Sequence, residues 1–567
     1  MKQYLRYLAF LLCICITLVS LPSCLSITRI ANTFEQMVEE IVGQQETTAK
    51  ENAVLGNELS PDLLLQYTLS ESDRLAFAEK LAYCRTITLE GTDTEAIDAA
   101  WEELEDLYYH IATQSQIAYI LYCWDQSSEE FSDAYLYASE MSNELYNDYM
   151  ALCQEIDASN SPYRDAFFED WTVDEMEEMR AYSEELSALY DENDRILVEY
   201  RALADDDSFD DKAAELYYQT VINNNRIATL KGYSDYYQYA YEKIYLRDYG
   251  AEDAKLLHGN GKQEILSLYR SSLNRFSNQY AELNSFEKTF ISSFLQNDYD
   301  KLSTNYVMEY VNSLPDDMKA SMLTMFEAEN SLFANGEHSY QGAFTGWLYE
   351  YGRPFCYFGP GYQSSSTVIH ELGHYYAEQF QMDEDLAMDL AEIHSQGNEM
   401  LFLVYLKDHV SKGVYEALSS YLLVDSLLTV LMCLVIDEFE MKVYQNADTI
   451  TDPKKDLDRI MREVIDRYGG DSFFMENISD PYWYWRRVTI ESPVYYISYA
   501  VSGIVAIELY AEALIDYDLA TQMYRYLAEE ARPSQGFLEV IRAAGLLTPF
   551  DPDIYVSIRA KLEIGRR

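Results

Sequence analysis

The chain is poor in basic residues and in cysteine, and each shortage excludes a class of protein. It has 41 Lys and Arg against 97 Asp and Glu, a formal net charge of −56 over 567 residues. Such a surface repels phosphate backbones, so nucleic acid is excluded as a partner. Eight cysteines without a CxxC pair predict neither a disulfide framework nor a cysteine-ligated metal site. Buried thiols are expected in the body of the chain, at Cys84, Cys123, Cys153, Cys356 and Cys433.

Long hydrophobic runs are also scarce. The apolar run from Tyr421 to Ile436 has only 16 residues and contains Asp425 and Ser426. A membrane span needs about 20 predominantly apolar residues. The run therefore predicts a buried core helix.

Residues 1–24 have the pattern of a targeting segment. Lys2 and Arg6 precede an apolar stretch of 15 residues, which has the length of a signal peptide. The segment ends in Leu-Pro-Ser-Cys, which resembles the lipobox of bacterial lipoproteins, where the cysteine (here Cys24) becomes lipidated. We expect an extracytoplasmic lipoprotein anchored to the bacterial cell membrane. Simple secretion and an uncleaved anchor are the alternatives.

The length exceeds what one compact core usually covers, so more than one domain is expected. A polar spacer is predicted over residues 25–60, a helical domain over 61–205, and a larger second domain over 206–567. Apolar residues recur at helical spacing through most of the chain, which predicts a mainly α fold. Residues 336–361 break this pattern with six Gly, two Pro and many aromatics, and they predict short strands and turns. Such strands could hold a peptide by its backbone or form a plain hairpin.

Histidine is scarce, yet two of the seven form the pattern HExxH at residues 370–374. On a helix, His370 and His374 lie on one face and can bind one metal ion. Glu371 then reaches the rim of that site, where it can take a proton from metal-bound water. A pair of solvated histidines is the alternative. The pattern indicates a catalytic zinc site.

A catalytic zinc ion takes three protein ligands and a water. Residues 385–401 predict a second helix that could return to the first. Glu392 falls 18 residues after His374, and we predict it as the third ligand. Glu399 lies two turns further on the same face, where it could orient a ligand. His394 lies about 200° around the helix from Glu392, so the two cannot both face the metal.

Several segments together resemble a known family. Residues 392–396 read EIHSQ and Glu399 follows. This is similar to the E-x-x-S-Q/T…E segment of the thimet oligopeptidase and oligoendopeptidase F family, which also carries HExGH. Residues 225–237 and 492–500 resemble the family's segments that contain G-Y-x-x-Y and P-F-Y-Y-x-x-Y-A. The segments occur in the family's order.

The resemblance implies an elongated multi-helix body, split by a deep substrate channel, with a small β patch beside the zinc-binding helix. It implies a zinc-dependent endopeptidase that hydrolyses short peptides, with residues 206–567 as the catalytic domain. One Zn²⁺ would be bound by His370, His374 and Glu392, and Glu371 would be the general base.

The resemblance also implies that Tyr496 and Tyr499 donate hydrogen bonds to the oxyanion of the tetrahedral intermediate. Without it, these tyrosines are ordinary aromatic core. One position departs from the family: Thr489 stands where a histidine is usual, with Arg486 and Arg487 as replacement donors. This departure suggests a non-catalytic or weakly active peptide-binding lipoprotein as the first alternative function. Another HExxH peptidase class with a Glu ligand, such as an aminopeptidase, is the second.

Overall fold

The computed structural model describes residues 67–565, except for 170, 172–175, 177–178, 181–182, 202, 204–208, 296–300, 328, 381–387, 470–487, 532–534 and 552. Helices dominate these residues, beside one three-stranded sheet, which confirms the predicted mainly α fold. The predicted signal peptide over 1–24, Cys24 and the spacer over 25–60 lie outside the described residues. The predicted substrate channel stays a prediction.

Long amphipathic helices open the described chain. They are α1 Glu71–Glu90, α2 Thr94–Trp124, α3 Glu129–Ala158 and the short α4 Arg164–Phe167. Side-chain caps start two of them, because Asp93 accepts a hydrogen bond from the Ala96 amide and Ser128 from the Phe131 amide. The helices enclose their own apolar cluster, in which Trp101 also donates a 3.0 Å hydrogen bond to Thr88.

A second group of helices belongs to a larger core. Its helices are α5 Glu184–Arg201, α6 Phe209–Leu230, α7 Tyr236–Tyr239, α8 Ala251–Asn260, α9 Leu266–Glu282, α10 Ser285–Leu295, α11 Lys301–Ser313 and α12 Asp316–Leu323. Leu186, Ile196 and Tyr200 of α5 pack into this core and not into the first cluster. The domain boundary between residues 205 and 206 stays a prediction.

The sheet contains β1 Ser331–Phe333, β2 Ala343–Leu348 and β3 Arg353–Phe358. β3 is central, parallel to β1 and antiparallel to β2. The strands predicted within 336–361 are confirmed as β2 and β3, joined by a turn in which Gly352 has φ +58°. β1 lies before that segment. Alternate residues face two cores, since Phe344 and Tyr357 pack on α2 while Cys356 and Phe358 join the larger core.

The remaining helices complete the larger core. They are α13 Ser365–Glu378, α14 Met388–Tyr405, α15 Lys412–Gln445, α16 Pro453–Arg467, α17 Val488–Glu491, α18 Ile497–Ala513, α19 Tyr517–Arg525, α20 Phe537–Ala543 and α21 Ile554–Gly565. α15 contains the apolar run from Tyr421 to Ile436. It is long and apolar enough to cross a membrane, but 83% of its apolar window is buried inside the protein. The predicted core helix is confirmed, and so are the five buried cysteines.

Candidate metal centre

α13 carries the HExxH pattern, and the sequence fixes where this helix begins. The Ser364 hydroxyl accepts a 3.2 Å hydrogen bond from the Thr367 amide, which caps the first turn. Val368, Ile369 and Leu372 are fully buried in the larger core. The two histidines therefore project from a helix that is packed on its other faces.

A close crossing of α13 and α14 brings the predicted ligands together. Gly373 makes this approach possible, since a Cβ atom there would lie 2.3 Å from the His394 carbonyl oxygen and 2.8 Å from the Ser395 Cα. The Asn398 side chain donates a 2.8 Å hydrogen bond to the Ile369 carbonyl across the same crossing. The glycine of HELGH is thus required for the two helices to pack this closely at the site.

The structure brings His370, His374 and Glu392 into one cluster. One ligand atom from each lies within 4.8 Å of the others. Nε2 of His370 is 3.9 Å from Oε2 of Glu392, and the two imidazole rings are 5.0 Å apart. His394 faces elsewhere, because its Nε2 lies 3.0 Å from the Leu527 carbonyl oxygen. The structure thus places Glu392, and not His394, with the two histidines.

Neighbouring groups orient His370 and shift the pKa values of His374 and Glu392. Nδ1 of His370 lies 2.8 Å from Oε1 of Glu399, so Nδ1 carries the proton and the lone pair of Nε2 points into the cluster. The structure thus places Glu399 where it can orient His370, as the sequence predicts. Burial and the neighbouring His370 hold the pKa of His374 well below its usual value, so its imidazole is neutral. Burial raises the pKa of Glu392, and the nearby His370 opposes that rise.

These residues fit a divalent zinc ion. Two imidazoles and one carboxylate form a donor set that catalytic zinc sites use, with a further position left for water or substrate. His370 and Glu392 are almost completely buried, while His374 is partly exposed. A buried carboxylate beside two imidazoles is compensated when a cation is bound between them.

Glu371 is held by a residue that sequence reasoning missed. The Thr345 hydroxyl on β2 donates a 2.8 Å hydrogen bond to Oε2 of Glu371, which is fully buried. Burial, together with the charge of Glu371, raises the pKa of Glu378 to about 8. The aromatic segment directly upstream of HExxH was the only sequence signal for Thr345. The β patch thus contacts the candidate base.

The tyrosine segment lies against Glu392. The Tyr495 hydroxyl donates a 2.6 Å hydrogen bond to Oε1 of Glu392, and the Tyr499 hydroxyl lies close enough to both groups to lower their pKa values. Tyr496 packs on the other two rings, with centroids 5.7 and 5.9 Å away. Sequence reasoning selected Tyr496 and Tyr499 and missed Tyr495. The pair of adjacent tyrosines was the available signal, but it does not show which ring faces the carboxylate.

Thr489, where the family has a histidine, is fully buried. Its side chain interacts with the Tyr217 hydroxyl in the larger core, and that contact lowers the pKa of Tyr217 against the effect of burial. Arg486 and Arg487, the suggested replacement donors, lie outside the described residues.

Comparison with known proteins identifies the fold. No protein-family model and no curated protein matches the chain. Among solved structures, PZ peptidase A in complex with an inhibitor matches with a TM-score of 0.66 and 18% identity, over 88% of this chain and 97% of that one. Oligoendopeptidase-F from Enterococcus faecium matches with a TM-score of 0.56 and 14% identity, over 87% and 98%.

A carboxypeptidase structure also matches. The M32 carboxypeptidase from Deinococcus radiodurans R1 has a TM-score of 0.53 and 11% identity, over 82% of this chain and 99% of that one. The chain thus has the helical fold of these peptidases along nearly their whole length. The matches support the resemblance to the thimet oligopeptidase and oligoendopeptidase F family.

Proposed function

We propose that this chain, which shares the fold of solved oligoendopeptidase F structures, is a zinc-dependent endopeptidase that hydrolyses short peptides. The observation that carries the proposal is the buried cluster of His370, His374 and Glu392, with ligand atoms within 4.8 Å. Glu371 follows the first histidine and is held by Thr345. The shared fold supports the same function.

The chain's own residues would divide the work as follows. When bound, zinc supplies Lewis-acid charge to the scissile carbonyl and favours ionisation of a water molecule. Glu371 takes a proton from the attacking water on its carboxylate and later passes it to the leaving amine nitrogen. The Tyr496 and Tyr499 hydroxyls donate hydrogen bonds to the oxygen that gains negative charge. Glu399 holds His370 in the tautomer whose Nε2 lone pair can ligate the metal.

The substitution Glu371→Gln tests the mechanism. We expect peptide hydrolysis to fall by about 100- to 10,000-fold while the zinc content remains one per chain, because the amide keeps the shape but cannot take a proton. Glu350→Gln is the control and should keep the wild-type rate. The Glu350 carboxylate contacts His110, which is far from it in the sequence. Wild-type turnover by Glu371→Gln would refute the mechanism.

The third ligand is tested by two neighbouring substitutions on α14. Glu392→Gln should lose bound zinc, whereas His394→Gln should keep it, since His394 contacts the Leu527 carbonyl. Zinc per chain, measured by elemental analysis after dialysis against a weak chelator, separates the two. Retention of zinc in Glu392→Gln would exclude Glu392 as a ligand.

The alternative functions give different results with the same purified protein. A peptide-binding lipoprotein without catalysis would bind a quenched fluorescent peptide library but release no fluorescence. An exopeptidase needs a free terminus, so blocking both ends of the peptide would abolish its activity. The endopeptidase proposal predicts cleavage of doubly blocked short peptides, with internal cleavage sites identified by mass spectrometry.

We also propose that the protein is extracytoplasmic and anchored to the bacterial cell membrane by a lipid on Cys24. The apolar stretch and the lipobox-like Leu-Pro-Ser-Cys are the support for this proposal. Cys24→Ala should abolish incorporation of labelled palmitate and release the protein from the membrane fraction. Labelling that persists in the variant would contradict a lipid on this residue.

A further inference from the structure

Two residues with left-handed backbone mark turns on either side of one buried guanidinium. Of the described residues other than glycine, Leu246 and Val494 have positive φ, at +50° and +62°. A β-branched residue such as valine is a genuine outlier in that region. Leu246 directly precedes Arg247, and Val494 directly precedes Tyr495, which contacts Glu392. Strained backbone persists only where the surrounding contacts fix it.

Arg247 supplies several of these contacts to the Val494 turn. Its Nη1 donates a 3.1 Å hydrogen bond to the Val494 carbonyl, and its Nη2 donates to the Tyr495 carbonyl at 3.2 Å. Nη2 also donates to the Ser498 hydroxyl at 2.9 Å. A planar guanidinium with fixed donors thus holds both the turn and the first residues of α18.

Two further side chains hold the same turn from other elements. The Val494 amide donates a 2.9 Å hydrogen bond to Oε1 of Glu440 on α15. The Tyr245 hydroxyl donates to the Pro493 carbonyl at 2.7 Å. Both contacts, like those of Arg247 with the two carbonyls, fix the main chain of residues 493–495. A strained turn requires such contacts.

Arg247 also contacts the helix that carries Glu392. Its Nε lies 3.4 Å from Oδ1 of Asp389, which is one turn before Glu392 on α14, and both side chains are fully buried. The guanidinium carbon lies 4.4 Å from the ring centroids of both Tyr241 and Tyr245. These contacts fix the position of the guanidinium, so it connects the tyrosine turn to α14.

We propose that Arg247 is a positioning residue of the metal centre. It fixes the turn at Val494 relative to α14, and it thereby sets the Tyr495 hydroxyl on Glu392 and the Tyr499 hydroxyl beside them. Arg247 acts through these groups, since its own contacts are two carbonyls, Ser498, Asp389 and the rings of Tyr241 and Tyr245. The inference rests on the proposed zinc endopeptidase function.

The substitution Arg247→Lys tests this role, because lysine keeps the charge but cannot hold two carbonyls and Ser498 at once. We expect kcat to fall about tenfold or more and KM to change less than threefold. We also expect the dissociation constant for zinc, measured by chelator competition, to rise about tenfold, as for other residues that orient a ligand.

A second substitution separates positioning from general stability. Glycine adopts the left-handed conformation without strain, so Val494→Gly should hold the turn with less help from Arg247. The same change removes a fully buried side chain and lowers the melting temperature further. We expect the double variant Arg247→Lys/Val494→Gly to recover kcat and zinc affinity at least threefold over Arg247→Lys while melting at a lower temperature. A purely structural role predicts that both measurements worsen together.

Lys561→Met is the control for loss of a partly buried charge contact between α21 and α18. Lys561 contacts Glu508 at 2.8 Å and Glu512 at 2.5 Å, near the far end of α18. This variant should melt earlier but keep wild-type kcat and zinc affinity. Wild-type kcat and zinc affinity in Arg247→Lys would overturn the positioning role and leave the proposed function standing. A wild-type protein that binds no zinc would overturn both.

Discussion

The Tyr495 hydroxyl donates a 2.6 Å hydrogen bond to Oε1 of Glu392, while Oε2 of the same carboxylate lies 3.9 Å from Nε2 of His370. One oxygen is thus held by a phenol, and the other faces His370 of the candidate metal centre. A phenol that donates to a ligating carboxylate fixes its orientation and favours its charged form. We therefore expect Tyr495 to contribute to metal binding, beside the tyrosines that the resemblance assigns to the oxyanion.

Removal of this hydroxyl should weaken zinc binding. In Tyr495→Phe we expect the dissociation constant for zinc to rise about 10-fold, since residues that orient a ligand contribute this much or more. Chelator competition followed by zinc analysis provides the measurement. Tyr555→Phe is the matched control, because its hydroxyl contacts the Pro549 carbonyl and Asn260, neither of which is a candidate ligand, and its zinc affinity should not change. Equal affinities for wild type and Tyr495→Phe would show that the phenol does not orient Glu392.

Glu399 should matter to zinc binding through His370 alone. Its Oε1 holds Nδ1 of His370 at 2.8 Å, and its Oε2 accepts a 2.7 Å hydrogen bond from the Ser366 hydroxyl. We expect Glu399→Ala to weaken zinc binding about 10–100-fold, because His370 then loses its fixed tautomer and orientation. Ser366→Ala removes only the second contact and should change zinc affinity less than threefold. Similar losses in both variants would argue against the tautomer as the cause.

Much of the fold and the centre of the site could be predicted from the sequence, because the evidence for them is local. Helical periodicity shows which segments are helices, and four-residue spacing places His370 and His374 on one face. The place of Glu392 in the cluster could be predicted because the 18 residues after His374 leave room for a second helix to return, and His394 lies on another face of that helix. Residues 336–361 revealed the strands through their glycines and aromatics.

The remaining contacts depend on packing between segments that are far apart in the sequence. Thr345 contacts Glu371 only because β2 lies along α13, and nothing in its own neighbourhood marks it. Arg247 donates a hydrogen bond to the Tyr495 carbonyl, which follows a turn at Val494. No residue propensity would predict the left-handed conformation of that turn. A valine is rare in that conformation, so tertiary contacts override the local preference here.

The helix crossing at Gly373 provides a prediction about stability. Gly373→Ala would place a methyl group 2.3 Å from the His394 carbonyl oxygen, so α13 and α14 must separate. We expect the free energy of unfolding to fall by about 2–3 kcal/mol, as in other overpacked cores, and zinc affinity to fall with it.

Gly259→Ala is the matched control for this change. Gly259 lies within α8, and an added Cβ would meet no atom within 4 Å. Because alanine favours helix over glycine, this variant should be more stable by about 0.5–1 kcal/mol. Chemical denaturation of the two variants should therefore give changes of opposite sign. A Gly373→Ala protein as stable as wild type would mean that the helices do not cross this closely.

Glu105 is buried on α2, a helix that packs in the first apolar cluster. Burial raises the pKa of its carboxyl from the usual 4.5 to about 7, although the Tyr109 hydroxyl donates a 3.2 Å hydrogen bond to it. The folded protein thus holds this proton more tightly than the unfolded chain does. The carboxyl's contribution to stability is fully present below pH 4.5 and is lost as the pH rises through 7.

Glu105→Gln keeps the neutral form at every pH, so its stability relative to wild type should increase over this range by about 1–3 kcal/mol. Urea denaturation at the two ends of the range measures this difference, and Glu102→Gln, at an exposed position on the same helix, should show the same difference from wild type at both ends. A Glu105→Gln advantage that does not grow with pH would show that this carboxyl is not protonated in the folded state.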